Sequence, residues 1–269
     1  MEIATVILAA GRGSRLKDFQ GNKTLLPLVP GKSLFEGSHP ILLEILTHLP
    51  QGPKTLVVHY RKEDVFEATR DLGLTYCEQP TLNGTGGALL AARPFLKNQS
   101  CGKVIVTMGD VPLVRNSTYQ TLLQSLEDAN FVVLGFRPET KRQYGILEID
   151  GDLVRRIVEW KYWKNFSKQR QEKLRICNSG IYAARRDDLL THLSTLCTRP
   201  HKVQKEVDGK ALEIEEYFLT DLVEIMNENG LRVRYVTAES ENEVMGVDDV
   251  TALMKAQQVF RERKLLPSP

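Results

Sequence analysis

No stretch of this sequence approaches the roughly 20 consecutive apolar residues of a membrane-spanning helix, and no apolar leader precedes the first strand-like run at residues 4–8. A cytoplasmic protein without a membrane partner is the expectation. An excess of one charge is missing too: 36 Lys and Arg stand against 34 Asp and Glu, a formal net charge of +2. Without a global field, nucleic-acid binding is not expected. Cysteine is sparse. Cys77, Cys101, Cys177 and Cys197 form no C-x-x-C pair, and the five histidines are scattered, so a zinc site has no support. Reduced thiols in a reducing compartment are the simpler reading.

The remaining composition, 42% hydrophobic and 26% charged over 269 residues, is that of a globular chain near the upper size for one core. Apolar, β-branched runs at residues 4–8, 55–59, 74–77, 103–107 and 131–136 alternate with amphipathic segments at about 39–49, 62–72, 85–96 and 117–128. This alternation predicts a mostly parallel sheet covered on both faces. Past Gln143 the pattern loosens. Residues 146–149 and 153–158 flank Asp150-Gly151-Asp152, a hairpin signal. Strands are expected at 176–183 and 231–236, helices at 215–229 and 250–265, and a polar, exposed excursion at 200–210.

The first apolar run breaks into Leu8-Ala9-Ala10-Gly11-Arg12-Gly13-Ser14-Arg15-Leu16-Lys17. Paired glycines let a ligand approach backbone N–H groups, and the arginines point to an anion. The dinucleotide fingerprint G-x-G-x-x-G fails, because Leu16 stands at its third glycine and no acidic residue follows at the required distance. The Walker pattern fails as well, although Gly21-Asn22-Lys23-Thr24 imitates its tail. A third arrangement remains, in which Gly11 and Gly13 admit phosphate oxygens, Arg15 forks onto a phosphate and Lys23 follows as a point charge. A surface turn with solvated arginines is the alternative.

The block L-A-A-G-x-G-[ST]-R-[ML]…K resembles the signature of the sugar-1-phosphate nucleotidylyltransferases, closest to the pyrophosphorylase domain of bacterial N-acetylglucosamine-1-phosphate uridylyltransferases. The blocks EQPTLNGTGGALLAA, MGDVPL, QYGILEIDGDLVRRIVE, NSGIY, EEYFLTDLV and VMGVDDV follow in the family's order. The resemblance implies a Rossmann-like three-layer α/β fold with a mostly parallel mixed sheet and a small sugar-binding subregion. It implies one domain over 1–269: a nucleotide-binding half at about 1–112, a sugar-binding half at about 113–230, and a metal loop and helix at about 231–269. The implied reaction joins an NTP, UTP in this branch, to a sugar-1-phosphate such as N-acetylglucosamine-1-phosphate, releases pyrophosphate and uses Mg2+. Its nucleophile is an already ionised phosphate oxygen. No general-base constellation is needed, and positioning and electrostatics carry the chemistry.

By the same resemblance Arg15 and Lys23 are the catalytic cations, and Asp110 and Asp248 hold the magnesium, an ion suited to one or two carboxylates. Leu8, Ala10, Gly11, Gly13, Gln79, Gly84 and Thr85 bind the nucleotide. Gln79 meets the pyrimidine edge, where an amide offers both a donor and an acceptor. Gly145, Glu159, Asn178 and Thr220 meet the sugar, and Tyr217 walls its pocket. The chain departs from this branch in several places. Asn22 stands where proline is usual, in a stretch one residue longer, Gly87 replaces a histidine, Met108 a tyrosine and Asp248 an asparagine. Trp160 and Trp163 read equally as sugar-site lining or loop packing. No hexapeptide repeat occurs, so acetyl transfer and a β-helix trimer are not expected. Rival readings are a different NTP or a non-sugar acceptor such as phosphocholine, and a non-catalytic nucleotide-sugar binder. Leu16 disfavours a dinucleotide-dependent oxidoreductase. The oligomeric state is not set by the sequence.

Overall fold

The apolar runs become strands because β-branched side chains suit a pleat buried on both faces. The computed structural model describes residues 2–13, 15, 16, 19–207 and 210–265. Ser14 and Lys17 of the glycine-rich stretch, and residues 208 and 209 of the polar excursion, lie outside the described residues. In chain order the first half contains β1 (Ala4–Leu8), β2 (Pro27–Ser33), β3 (Glu36–Pro40), α1 (Ile41–His48), β4 (Lys54–Val58), α2 (Lys62–Thr69), β5 (Thr75–Glu78), α3 (Gly84–Ala91), α4 (Arg93–Lys97), β6 (Lys103–Met108), α5 (Asn116–Ser125) and β7 (Phe131–Phe136). There follow β8 (Ile146–Asp150), β9 (Leu153–Val158), α6 (Trp160–Trp163), α7 (Lys168–Lys173), β10 (Cys177–Arg185), α8 (Arg186–Leu196), β11 (His201–Val207), β12 (Lys210–Glu216), α9 (Asp221–Glu228), β13 (Val233–Thr237) and α10 (Val250–Leu265).

The main sheet runs β5-β4-β1-β6-β10-β7-β13-β9-β8. β5, β4, β1 and β6 are parallel, with Leu8 opposite both Val57 and Met108. β10 enters antiparallel between β6 and β7, and β13 lies parallel to β7. The β8–β9 hairpin forms the far edge. Side chains alternate across the pleat. Ile7, Leu56 and Ile105 therefore pack on one face with Leu42 of α1, Leu122 of α5 and Phe260 of α10. Val6, Val57 and Val106 pack on the other with Leu89 of α3, Leu193 of α8 and Leu222 of α9. Each such aliphatic side chain contributes about 1.5–3 kcal/mol on burial, so both helical layers are held by the same strands.

Several segments differ from the sequence reading, helix α8 (Arg186–Leu196) among them, which it did not anticipate. The expected helix 85–96 breaks between α3 and α4, where Pro94 enters the first turn of α4 and cannot continue a preceding hydrogen-bond ladder. The polar excursion is β11, paired with β12 from His201–Glu216 to Val207–Lys210. That pairing claims residues up to Glu216, so the helix expected from 215 begins only at Asp221. The hairpin β2–β3 has no clear strand signal, since Pro30, Gly31 and polar residues interrupt it. It is docked by Gln257 of α10, whose Nε2 donates to Pro27 O at 2.9 Å and Leu34 O at 3.0 Å. The carboxyl ends of β1, β4, β5 and β6 share one edge of the sheet, where open α/β sheets bind ligands.

Candidate active site

Asp110 reaches this edge through a tight turn. Gly109 follows β6 so closely against the neighbouring strand that a Cβ there would meet the Ala9 Cβ at 3.0 Å. Its N–H donates to Leu8 O at 2.9 Å, and Asp110, 8% exposed, comes next. The loop before α10 returns to the same place, where Val247 N–H donates to Asp110 O at 2.8 Å. Gly246 lies between the acids: a Cβ there would stand 3.9 Å from both Asp110 Oδ1 and Asp248 Oδ2. Both acids accept from the Lys23 ammonium, Asp110 through Oδ2 and Asp248 through Oδ1 at 2.9 Å. Arg15 Nη1 stands 3.6 Å from Asp248 Oδ2. Burial opposes charge on Lys23, but the two carboxylates more than offset it and hold its pKa above the usual lysine value. Burial likewise opposes charge on Asp248, yet Lys23 and Arg15 draw its pKa below the usual aspartate value.

Asn22 explains how Lys23 reaches so far without the usual proline. Its Oδ1 accepts from the Thr24 N–H at 3.0 Å and the Thr24 hydroxyl at 2.8 Å, and its Nδ2 donates to Tyr60 O at 2.8 Å. This side-chain cap holds the 3-10 turn Lys23–Leu25. The lysine stem then runs along the glycine-rich turn. A Cβ on Gly13, at φ +64°, would meet it at 3.2 Å, and one on Gly11 at 3.7 Å. The two glycines, expected to admit phosphate oxygens, here make room for Lys23.

Leu8, Ala10, Gly11, Gln79, Gly84 and Thr85 line one cavity of about 250 Å3. Gln79 is 3% exposed. Its Nε2 donates to Asn83 Oδ1 at 3.0 Å and Gly84 O at 3.1 Å, which leaves Oε1 as the atom open to a ligand. His59 Nδ1 donates to the Gln79 backbone carbonyl at 2.7 Å. Gly87 has a local cause: a Cβ there would fall 1.8 Å from Asn83 Oδ1, the atom that orients Gln79. Residues 217–220 strap this cavity to the next. Tyr217 N–H donates to Asn83 O, and Gly86 N–H to Tyr217 O, both at 2.8 Å. Thr85 uses its hydroxyl to accept from Leu219 N–H at 3.3 Å.

Gly145, Glu159, Asn178 and Thr220 line an adjoining cavity of about 440 Å3, and Gly84, Thr85 and Met108 belong to both. Glu159 Oε1 accepts from the Thr220 hydroxyl at 2.8 Å. Burial raises the Glu159 pKa above the usual glutamate value, and the Thr220 hydrogen bond only partly opposes it. Asn178 donates from Nδ2 to the Tyr182 hydroxyl at 2.8 Å and accepts at Oδ1 from Gly180 N–H at 3.1 Å. The expected wall, Tyr217, is displaced by its neighbour: Phe218 lines the cavity. Its ring lies 4.4 Å from the His201 ring and 4.6 Å from Lys161 Nζ. Trp163 packs its loop, with Nε1 donating to Tyr144 O at 2.8 Å. A third cavity, about 610 Å3, brings Arg15 and Asp248 together with Arg142, Gln143 and Tyr144. Gln143 and Tyr144 also face the 440 Å3 cavity. The sequence reading missed Arg142; its one signal was a basic residue shortly before Tyr144-Gly145. Its backbone is left-handed, φ +41°, a strained conformation for a non-glycine residue.

Among the described residues no three His, Cys, Asp or Glu side chains gather as a metal cage. Two carboxylates converging on one ammonium beside open cavities suit a hard ion that takes its remaining oxygens from substrate and water. That donor set fits Mg2+ and does not fit a closed zinc site.

The MobA-like NTP transferase domain family matches residues 5–191. The chain belongs to this family. The chain is 32% identical over 267 residues to the bifunctional protein GlmU of Syntrophotalea carbinolica, covering 97% of the chain and 52% of that protein. The chain spans about half the length of the curated relatives it matches. Its structure is similar to the uridine diphosphate N-acetylglucosamine pyrophosphorylase of Trypanosoma brucei, with TM-score 0.72 and 13% identity over 96% of this chain and 64% of that one. It is also similar to a CMP:2-keto-3-deoxy-manno-octonic acid synthetase complexed with CTP, with TM-score 0.64 and 17% identity over 98% and 100% of the two chains. The MobA-like domain is thus a nucleotidyltransferase with the mixed α/β fold of that class. Among the described residues no helix is long and apolar enough to cross a membrane.

Proposed function

We propose that this domain transfers the nucleotidyl group of UTP to N-acetylglucosamine-1-phosphate or a closely related hexose-1-phosphate. Gln79 carries the choice of base. With both amide N–H groups engaged by Asn83 and Gly84, Oε1 presents an acceptor. Uracil meets it with N3–H. Cytosine offers an unprotonated N3 and sets two acceptors against each other, which a desolvated site rejects strongly.

An oxygen of the sugar phosphate forms a bond to the α-phosphorus. The bond from that phosphorus to its bridging oxygen breaks, and pyrophosphate leaves with the electron pair. No proton has to be removed from the nucleophile at neutral pH. Arg15 and Lys23 stabilise the charge that grows on the leaving pyrophosphate. Asp110 and Asp248 would hold Mg2+, which supplies neutralising charge at the triphosphate when bound. With the acids holding that ion, the Lys23 ammonium would be free to meet a phosphate oxygen. The base and sugar cavities share Gly84, Thr85 and Met108, so nucleotide and acceptor lie end to end. Glu159, Asn178 and Thr220 present acceptors and donors to sugar hydroxyls, and a wrong epimer leaves them unpaired.

Pyrophosphate release tests this reading, with UTP, dTTP, CTP and GTP each offered N-acetylglucosamine-1-phosphate, glucose-1-phosphate and phosphocholine. UTP is expected to exceed CTP by at least about 100-fold in kcat/KM. Equal use of CTP overturns the reading of Gln79. Turnover with phosphocholine alone overturns the acceptor, and no turnover with any pair favours a nucleotide-sugar binder.

A further inference from the structure

We infer that Glu243 is a positioning residue that sets the separation of Asp110 and Asp248. The inference rests on the reading of those two acids as the metal pair. Glu243 is 0% exposed, a rare state for a carboxylate. It lies in the 3-10 turn Glu241–Val244, immediately before Gly246 and Asp248. Its Oε1 accepts from the Arg115 backbone N–H at 3.2 Å and from the Thr118 hydroxyl. Its Oε2 accepts from the Glu239 N–H at 3.3 Å.

Arg115 and Thr118 begin α5, the helix that follows the Asp110 loop. One oxygen of Glu243 therefore grips the segment leading from Asp110, and the other grips the segment leading to Asp248. The Val247 N–H bond to Asp110 O, 2.8 Å, is a second strut at the acids themselves. A link needed only for folding would be cheaper without charge, because a buried carboxylate loses its hydration. A carboxylate adds two acceptors in one rigid plane, so it can clamp donors from both loops at once. Its placement at the start of α5 also suits the positive end of that helix. With both struts in place, the spacing of the two acids is fixed before any ion arrives. Groups that orient metal ligands from behind typically change metal affinity about 10–100-fold.

Glu243→Gln keeps an acceptor for Arg115 and Thr118 but turns an amide N–H toward the Glu239 N–H. Glu239→Gln is the control, since it disturbs only an exposed pair with Arg115. Binding of Mn2+ alone is followed by the electron paramagnetic resonance of the free ion, with circular dichroism reporting the fold. E243Q is expected to bind Mn2+ about tenfold more weakly, with E239Q unchanged. Raising Mg2+ is expected to restore the kcat of E243Q. An unchanged Mn2+ affinity in folded E243Q overturns the inference, and so does a lost kcat that Mg2+ fails to restore. Thr118→Val, which removes one donor to Oε1, carries the same test if E243Q does not fold. Asp110→Asn separates the two ideas. If it binds Mn2+ as the parent does, the metal-pair reading falls and this inference with it. If it loses Mn2+ while E243Q keeps it, Glu243 alone is wrong.

Discussion

Lys23 occupies the space between the two acids that a metal ion would need, and this makes it the most informative single residue. Removing its ammonium leaves Asp110 without its cation and Asp248 with only the exposed Arg15 at 3.6 Å. Lys23→Met is therefore expected to lose about 2 kcal/mol in urea denaturation, less than a fully buried pair because Asp248 is half exposed. Added Mg2+ is expected to raise its melting temperature more than that of the parent, and an equal shift in both would refute this account. Glu159 makes the opposite case. Burial raises its pKa, so the fold favours the protonated form. Its contribution to stability is present below the usual glutamate range and is lost as pH rises through the raised value. Near neutral pH the ionised group is a cost, and Glu159→Gln is expected to melt higher in ligand-free protein. The same variant is expected to lose about 10–100-fold in kcat/KM for the sugar phosphate, because a charged acceptor is gone. A calorimetric scan beside steady-state kinetics tests both halves.

Two glycines of α3 determine how the elements around the 250 Å3 cavity fit. A Cβ on Gly86 would lie 2.7 Å from Tyr217 O, so Gly86→Ala has to push the 217–220 strap away. A cost of about 1–3 kcal/mol is expected, with KM rising for both substrates because Phe218 and Thr220 ride on that strap. A change confined to one substrate would show that the strap does not couple the cavities. Gly87→Ala acts differently, since it displaces Asn83 Oδ1 from Gln79. The freed amide can then turn its N–H outward, and the preference for UTP over CTP is expected to shrink. The motif containing these glycines was readable in the sequence, but the break that Pro94 imposes was missed, since the pattern there predicts one helix over 85–96. The strap was not, because Glu215-Glu216 reads as the start of the helix expected at 215–229 until β11 is known to lie beside it. Local periodicity cannot distinguish a strand whose partner is supplied by a distant turn from a helix of similar composition.

Across the whole molecule, the hairpin β2–β3 and helices α1 and α10 meet at Glu44. Its Oε2 bonds His39 Nε2 at 2.6 Å and its Oε1 bonds His48 Nε2 at 2.9 Å, while the His39 ring lies 4.7 Å from Phe260. Burial would raise the Glu44 pKa, but the two histidines prevail and lower it from 4.5. The stability it adds is complete above that ordinary value and is lost as pH falls through the lowered one. Glu44→Gln is expected to lower the urea midpoint at neutral pH and to flatten its decline below pH 4.5. An acid profile that the substitution leaves unchanged would place the pH response elsewhere.

The amino-acid sequence by itself determined the parallel half of the sheet, the glycine-rich turn after β1 and the helix 250–265, because each follows from periodicity and backbone freedom within one segment. It also marked Asp110 and Asp248 as notable. Only the tertiary structure decided that both acids close on Lys23, that Gly11 and Gly13 shelter a lysine stem, that Phe218 rather than Tyr217 lines the 440 Å3 cavity, that Arg142 joins Arg15 and Asp248 around another, and that Glu243 ties the start of α5 to the segment before Asp248. Those facts depend on groups far apart in the chain whose approach is set by the packing of the two helical layers against one sheet, and no local pattern encodes that distance.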